Sequence, residues 1–149
     1  MTHLSLSSAL IILDTNVLVH LLRNKAAGQA IEQKFHLRRR PERPIPSSIV
    51  EGELRGLAAL WNWDPAKIAE LEESLSQLVR VSAGEPEVVR SYSVLFAHQT
   101  NTGKKVGEND LWIAATAQAI GGVVLTCDTD FLSIDDHLVS RVYFDPNTP

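Results

Sequence analysis

The chain has 149 residues, 44% of them hydrophobic, and a formal net charge of -4. That length and composition suit one compact α/β domain spanning residues 1–149. A single cysteine, Cys127, excludes an internal disulfide framework, and no apolar run approaches the roughly 20 residues that span a bilayer. With no basic leader and small-residue cleavage site ahead of the first apolar run, the expected location is the cytoplasm. The overall acidity does not suggest a nucleic-acid partner, but the basic residues are unevenly spread. Arg38, Arg39, Arg40 and Arg43 gather in one segment, and Lys104 and Lys105 in another. An acidic protein can present such a strip to phosphates.

In chain order, Ala9 to Leu13 is a short apolar run ending at an acid, the pattern of a buried parallel strand. Val17, Leu18, Leu21 and Leu22 recur at helical spacing, and a second helix is expected from Ala26 to Arg39, stopping before Pro41. Pro44 and Pro46 frame an extended piece around Ile45. Ser48 is positioned to cap a helix whose stripe is Val50, Leu54, Leu57 and Trp61. Asp64-Pro65 reads as an N-cap and first-turn proline, opening a helix to about Leu78. Val79 to Val81 reads as a short strand, and Val88, Val89, Tyr92, Leu95 and Phe96 as a helix. A polar loop from Gly103 to Gly107 leads into a helix from Glu108 to Gly121-Gly122. Val123 to Thr126 is the next strand, and Val142 to Phe144 an edge strand.

Strands alternating with helices imply a parallel sheet, whose ligands bind beyond the carboxyl ends of its strands. Asp14 and Asp128 both follow apolar runs and are expected at that edge. Asp110 opens the helix leading into the second run, and Ile113, Ala114, Ala117 and Gly121 share its face; most are small, which allows close packing on the sheet. A further acid comes from Glu51 or Glu53. Glu53 falls within the apolar stripe of its helix, whereas Glu51 lies at its flank, four residues before Arg55, as an exposed ion pair would. Taken singly, Asp14, Asp110, Asp128 and Asp130 are ordinary caps and turn formers. Taken together, with Glu53 on an apolar stripe, they are harder to explain as capping. Carboxylates crowded in one cleft repel one another, and a divalent ion removes that conflict; oxygen-only ligands suit Mg²⁺ or Mn²⁺. Such ions activate a water and stabilise charge on phosphorus.

Four segments then resemble the motifs of PIN-domain nucleases. They are Ile11-Ile12-Leu13-Asp14-Thr15-Asn16-Val17-Leu18, Pro46-Ser47-Ser48-Ile49-Val50-Glu51-Gly52-Glu53-Leu54, Glu108-Asn109-Asp110-Leu111-Trp112-Ile113-Ala114-Ala115, and Leu125-Thr126-Cys127-Asp128-Thr129-Asp130-Phe131. All four occur in order and span most of the chain. The size looks most like VapC, the ribonuclease toxin of VapBC toxin–antitoxin pairs. The resemblance implies a three-layer α/β/α fold around a parallel sheet and Mg²⁺- or Mn²⁺-dependent endoribonuclease activity. It implies metal-site acids at Asp14, Glu53, Asp110 and Asp128, with Asn16 and Asp130 supporting. A homodimer, a small antitoxin partner and a structured RNA substrate such as tRNA follow from it as expectations. In the second motif Gly56 follows Glu53-Leu54-Arg55 directly, where family members often have one residue more, so Glu51 stays open as the fourth acid.

Among the remaining residues, His20, His36, His98 and His137 have no metal-ligand spacing, and Trp61 and Trp63 suit packing or dimer contacts. Lys104 and Lys105, and less strongly the Arg38 to Arg43 run, are the candidate RNA contacts, set against plain solvation. An aspartate-based phosphatase is the alternative enzyme, but it wants a second Asp two residues after Asp14, where Asn16 stands. A dormant PIN-like module binding RNA or a partner is the non-enzyme alternative.

Overall fold

The computed structural model describes residues 9–78 and 80–147. Its centre is a parallel sheet of β1 (Ile11–Leu13), β2 (Val123–Thr126) and β3 (Ser140–Tyr143), in the order β1-β2-β3. Ile11 pairs with Val123 and Leu13 with Leu125; Val123 pairs in turn with Ser140 and Thr126 with Tyr143. On its other side β1 is bridged by Ile45, and Ser47 by Val81, so the two proline-framed and post-helical segments extend the sheet by single parallel bridges. The strand expected at 79–81 is thus a bridge at Val81; Val79 lies outside the described residues. Every residue of β1 and β2 is buried, as strands covered on both faces must be, which is the three-layer α/β/α arrangement.

Among the described residues six α-helices supply the cover. They are α1 (Thr15–Arg23), α2 (Ala26–Phe35), α3 (Ser48–Leu60), α4 (Pro65–Ser76), α5 (Pro86–Asn101) and α6 (Glu108–Ile120). β3, Ser140–Tyr143, starts and ends earlier than the expected Val142 to Phe144, and two helix boundaries differ from expectation as well. The second helix stops at Phe35 because His36 turns left-handed (φ 51°), and Leu37–Arg39 continue as a 3₁₀ turn. The cap of α3 is Ser47, whose hydroxyl accepts from Val50 N–H at 3.2 Å, while Ser48 accepts from Ala83 N–H at 3.0 Å. Either serine has the right chemistry for a cap; the bridge to Val81 settles which one faces the helix. The Asp64 cap and Pro65 first turn of α4 are as expected. On α5, Val88 and Leu95 are buried, but Val89 and Phe96 face outward.

The α6–β2 hairpin positions the site. Gly121 closes α6 in the left-handed region (φ 67°). A Cβ on Gly122 would sit 2.9 Å from Leu10 O and 2.5 Å from an Ile12 methyl, so only glycine lets β2 start this close to β1. Ile113, Ala114, Ala115 and Ala117 are fully buried, the small side chains admitting α6 to the sheet.

Candidate active site

The acids come from four separate elements and converge at the carboxyl edge of the sheet. Asp14 directly follows β1; its N–H donates to Leu125 O at 2.9 Å, which holds it in register with β2. It is 3% exposed and caps α1, its Oδ1 accepting from Thr15 N–H at 2.7 Å. The capping reading of Asp14 is therefore correct, and incomplete. Its Oδ2 also accepts from the Thr126 hydroxyl at 2.8 Å and from Asn16 Nδ2 at 3.2 Å. Thr126 Oγ1 in turn accepts from Asp128 N–H at 2.9 Å, so one buried hydroxyl joins the two strand-end acids. Asn16 Oδ1 accepts from Cys127 N–H at 3.1 Å, tying α1 to the same turn.

Glu53 reaches the cluster from α3, with Oε1 accepting from the Thr15 hydroxyl at 2.8 Å. Glu51 points elsewhere. It pairs with Arg55 at 3.0 Å and with Arg80, and Arg55 pairs also with Glu72, stitching α3 to α4 and to the Val81 bridge. Helical phase separates the two glutamates as expected, although Glu51 is more enclosed than an isolated surface pair, its side chain only 13% exposed. Asp110, in the first turn of α6, stands with Asp128 and Asp130, one carboxylate oxygen of each lying within 4.8 Å of the others. Asp128 Oδ1 accepts from Asp130 N–H at 2.9 Å, which fixes the turn carrying both.

The electrostatics show the cost of this convergence. Burial pushes the Asp110 carboxyl up from its usual 3.8 to about 7, helped by the charges of Asp14, Asp128, Glu53 and Asp130. Asp14 is raised as well, mainly by burial; hydrogen bonds from Thr126 and Thr15 oppose the rise, and Glu53 and Asp128 add to it. Burial, with Asp14 and Asp145 nearby, also lifts the Cys127 thiol to about 11, which keeps it protonated and inert. The charges acting on Asp14 and Asp110 are all acidic. An all-carboxylate set with raised proton affinity at its centre fits a hard divalent cation such as Mg²⁺ or Mn²⁺, which would replace the protons.

The basic residues divide. Lys104 and Lys105 lie exposed on the loop between α5 and α6, just ahead of Asp110. The arginine run does not join the acids. Arg40 donates to Ala9 O at 2.7 Å, at the amino end of β1 and thus the opposite edge of the sheet. Arg38 and Arg43 line a separate groove of about 850 Å³ with Leu18, Leu22 and residues of α4; Arg39 is exposed on its 3₁₀ turn. Arg23 lies over Trp61 (4.8 Å), which stays exposed, and Lys67 over Trp63 (5.8 Å), which packs against the core. Sequence reasoning misses Thr15 and Thr126. The available signal is Thr126 itself, a hydroxyl ending an otherwise apolar strand.

Comparison with known proteins places this geometry. Residues 11–137 match the family model described as PIN domain, a span holding all the converging acids. Over 127 residues, 83% of this chain and 87% of the relative, the sequence is 28% identical to Ribonuclease VapC5 of Mycobacterium tuberculosis. Among solved structures, DNA-bound VapBC from Salmonella typhimurium superposes with a TM-score of 0.74 at 25% identity, covering 91% of this chain and 98% of that one. FitAcB from Neisseria gonorrhoeae superposes at 0.67 with 27% identity, covering 94% and 100%. VapBC2 from Rickettsia felis, bound to a promoter DNA fragment, shares the fold at 0.75 with 21% identity, covering 91% and 99%.

Proposed function

The chain belongs to the PIN domain family, and on that premise we propose that it is a metal-dependent endoribonuclease, the toxin of a toxin–antitoxin pair, acting as one domain. The observation that carries the reading is the convergence of Asp14, Glu53, Asp110 and Asp128 from four elements onto one edge, with the Asp110 carboxyl lifted to about 7. Asp14, Glu53, Asp110 and Asp128 would hold Mg²⁺ or Mn²⁺, with Asp130, whose carboxylate lies with those of Asp110 and Asp128, beside them. A bound ion would supply charge neutralisation at the phosphate and a water of lowered pKa. The chain's own part is to hold these acids still. Thr126 and Asn16 fix the Asp14 carboxylate, Thr15 fixes Glu53, and the Asp130 N–H fixes Asp128. Small, rigid hydrogen-bonded supports of this kind orient ligands for metal ions.

Carboxylates carry no base-reading pattern, so specificity falls to the rim of the cleft. Single-stranded loops of structured RNA, with tRNA as the case in view, are the proposed targets, since unstacked bases and a bent backbone can enter. A small antitoxin and a second copy of the chain are the proposed partners; the relatives named VapBC support the first. Among the described residues no helix is long and apolar enough to cross a membrane.

The test is incubation of chelator-stripped protein with total cellular RNA, with and without added Mg²⁺ or Mn²⁺. Internal cleavage that requires metal and is lost in Asp110→Asn supports the reading. Intact RNA alongside phosphate release from a small phosphomonoester overturns it in favour of a phosphatase.

A further inference from the structure

We propose that the cavity between α5 and the first turn of α6 is a nucleotide subsite, seating one unpaired base of the RNA beside the acidic site; the inference rests on the ribonuclease reading above. The cavity measures about 550 Å³, and Tyr92, Phe96, Gln99, Lys104, Lys105 and Leu111 line it. Three features give it the chemistry of a nucleotide site.

The first is a row of aromatic rings open at one end. Trp112 stacks on Tyr92 with centroids 3.8 Å apart and planes 18° apart, and Tyr92 faces Phe96 at 6.1 Å and 23°. Trp112 and Tyr92 are half-buried, whereas Phe96, at the outer end, is 53% exposed. A planar base laid on Phe96 extends the row by one ring. Stacking of this kind accepts any base and is a main source of affinity for unpaired nucleic acid. The second is charge. Lys104 and Lys105 stand exposed at the cavity, whose wall also carries Glu108; Lys104 acts on Asp135 at a distance, and the two ammonium groups are the cations placed to meet a phosphate. The third is an unfilled acceptor. Gln99 is 4% exposed, and its Nε2 donates to Lys104 O and Ser133 O, each at 3.4 Å. Its Oε1 has no partner. A buried acceptor left unpaired is costly, and a ring N–H or exocyclic amino group of a base is the kind of donor that completes it.

The place of the cavity in the fold ties it to the cleavage site. Leu111 adjoins Asp110 on α6, and Ser133, held by Gln99, ends the 3₁₀ turn Thr129–Ser133 that carries Asp130. The two sites therefore share the first turn of α6, and Gln99 in the cavity wall touches the turn that carries Asp130, so a nucleotide in the cavity would be near neighbour to a phosphate at the acids.

The test reads binding separately from cleavage. In an Asp110→Asn background, where cleavage is off, a fluorescent single-stranded RNA 12-mer of mixed sequence is titrated by anisotropy. Phe96→Ala, at an exposed position that leaves the core intact, is expected to weaken binding by about fivefold or more, and Phe96→Trp to restore it. Lys104→Ala with Lys105→Ala is expected to flatten the dependence of log affinity on log salt by about 0.7 for each phosphate no longer neutralised. In the parent enzyme Phe96→Ala should raise KM more than it lowers kcat. Unchanged affinity in Phe96→Ala, with metal-dependent RNA cleavage intact in the parent, overturns the subsite and leaves the ribonuclease reading standing. A parent that neither binds nor cleaves RNA overturns both. A dimer that Phe96→Ala converts to monomer, seen by light scattering, shows that a second copy covers this face and overturns the subsite.

Discussion

Removing one charge from the crowded acids should stabilise the metal-free protein, and Asp110 is the place to do it. A carboxyl whose proton affinity is higher folded than unfolded makes the folded state bind more protons. Stability then falls as pH rises between the unfolded value near 4 and the folded value near 7, and the penalty is fully present above that window. The displacement from 3.8 to about 7 would correspond to about 4 kcal/mol for a fully enclosed group. Asp110 is only half-buried, so solvent screening reduces this to about 2 kcal/mol. Loss of its favourable place in the first turn of α6 returns about 0.5 kcal/mol. Asp110→Asn should therefore gain roughly 1–2 kcal/mol at pH 8 in chelator, or a Tm about 2–6 °C higher, with little gain at pH 4. The assay is thermal unfolding of both proteins in chelator across pH 4–8. Saturating Mg²⁺ or Mn²⁺ should reverse the order, because the parent alone binds the ion well. A variant less stable than the parent at pH 8, or an advantage that does not grow with pH, would refute the crowding argument.

The same linkage predicts that metal alone raises the Tm of the parent, with about 2.7 kcal/mol of stabilisation at a hundredfold excess over Kd, and no rise in Asp110→Asn; calorimetry reads both. Glu53→Gln should abolish cleavage while the fold stands, whereas Glu51→Gln should keep activity and lose about 1 kcal/mol through its weakened pairing with Arg55 and Arg80, measured by urea unfolding beside a cleavage assay. The reverse ranking would overturn the assignment of the fourth acid. Thr126→Val should lose about 1–3 kcal/mol, since it strips a donor from Asp14 and an acceptor from Asp128 N–H, and should weaken metal affinity by about tenfold or more, read by titration calorimetry; unchanged metal binding would make Thr126 merely structural.

Much of this site is legible in the sequence because the signals are local. A short apolar run ending in an acid marks a strand end, and Asp14 and Asp128 stand there. Helical phase favours Glu53 over Glu51 as the inward acid, while the second motif leaves both open. Small residues along one helix bring Asp110 to the sheet, and Gly121-Gly122 announce the tight entry into β2. Other features depend on partners far along the chain. Thr126 meets Asp14 across 112 positions and Glu53 meets Thr15 across 38, so neither threonine declares its role in its own neighbourhood. The choice of Ser47 over Ser48 as a cap comes from a bridge to Val81, and the end of α2 from a left-handed His36. The arginine run reads as an RNA-binding strip when taken as a string of charges, yet Arg40 reaches Ala9 at the far edge of the sheet. Local pattern determines which residues can form a strand end or a helix face, while long-range packing alone decides which of those faces meet, and so which charges share one cleft.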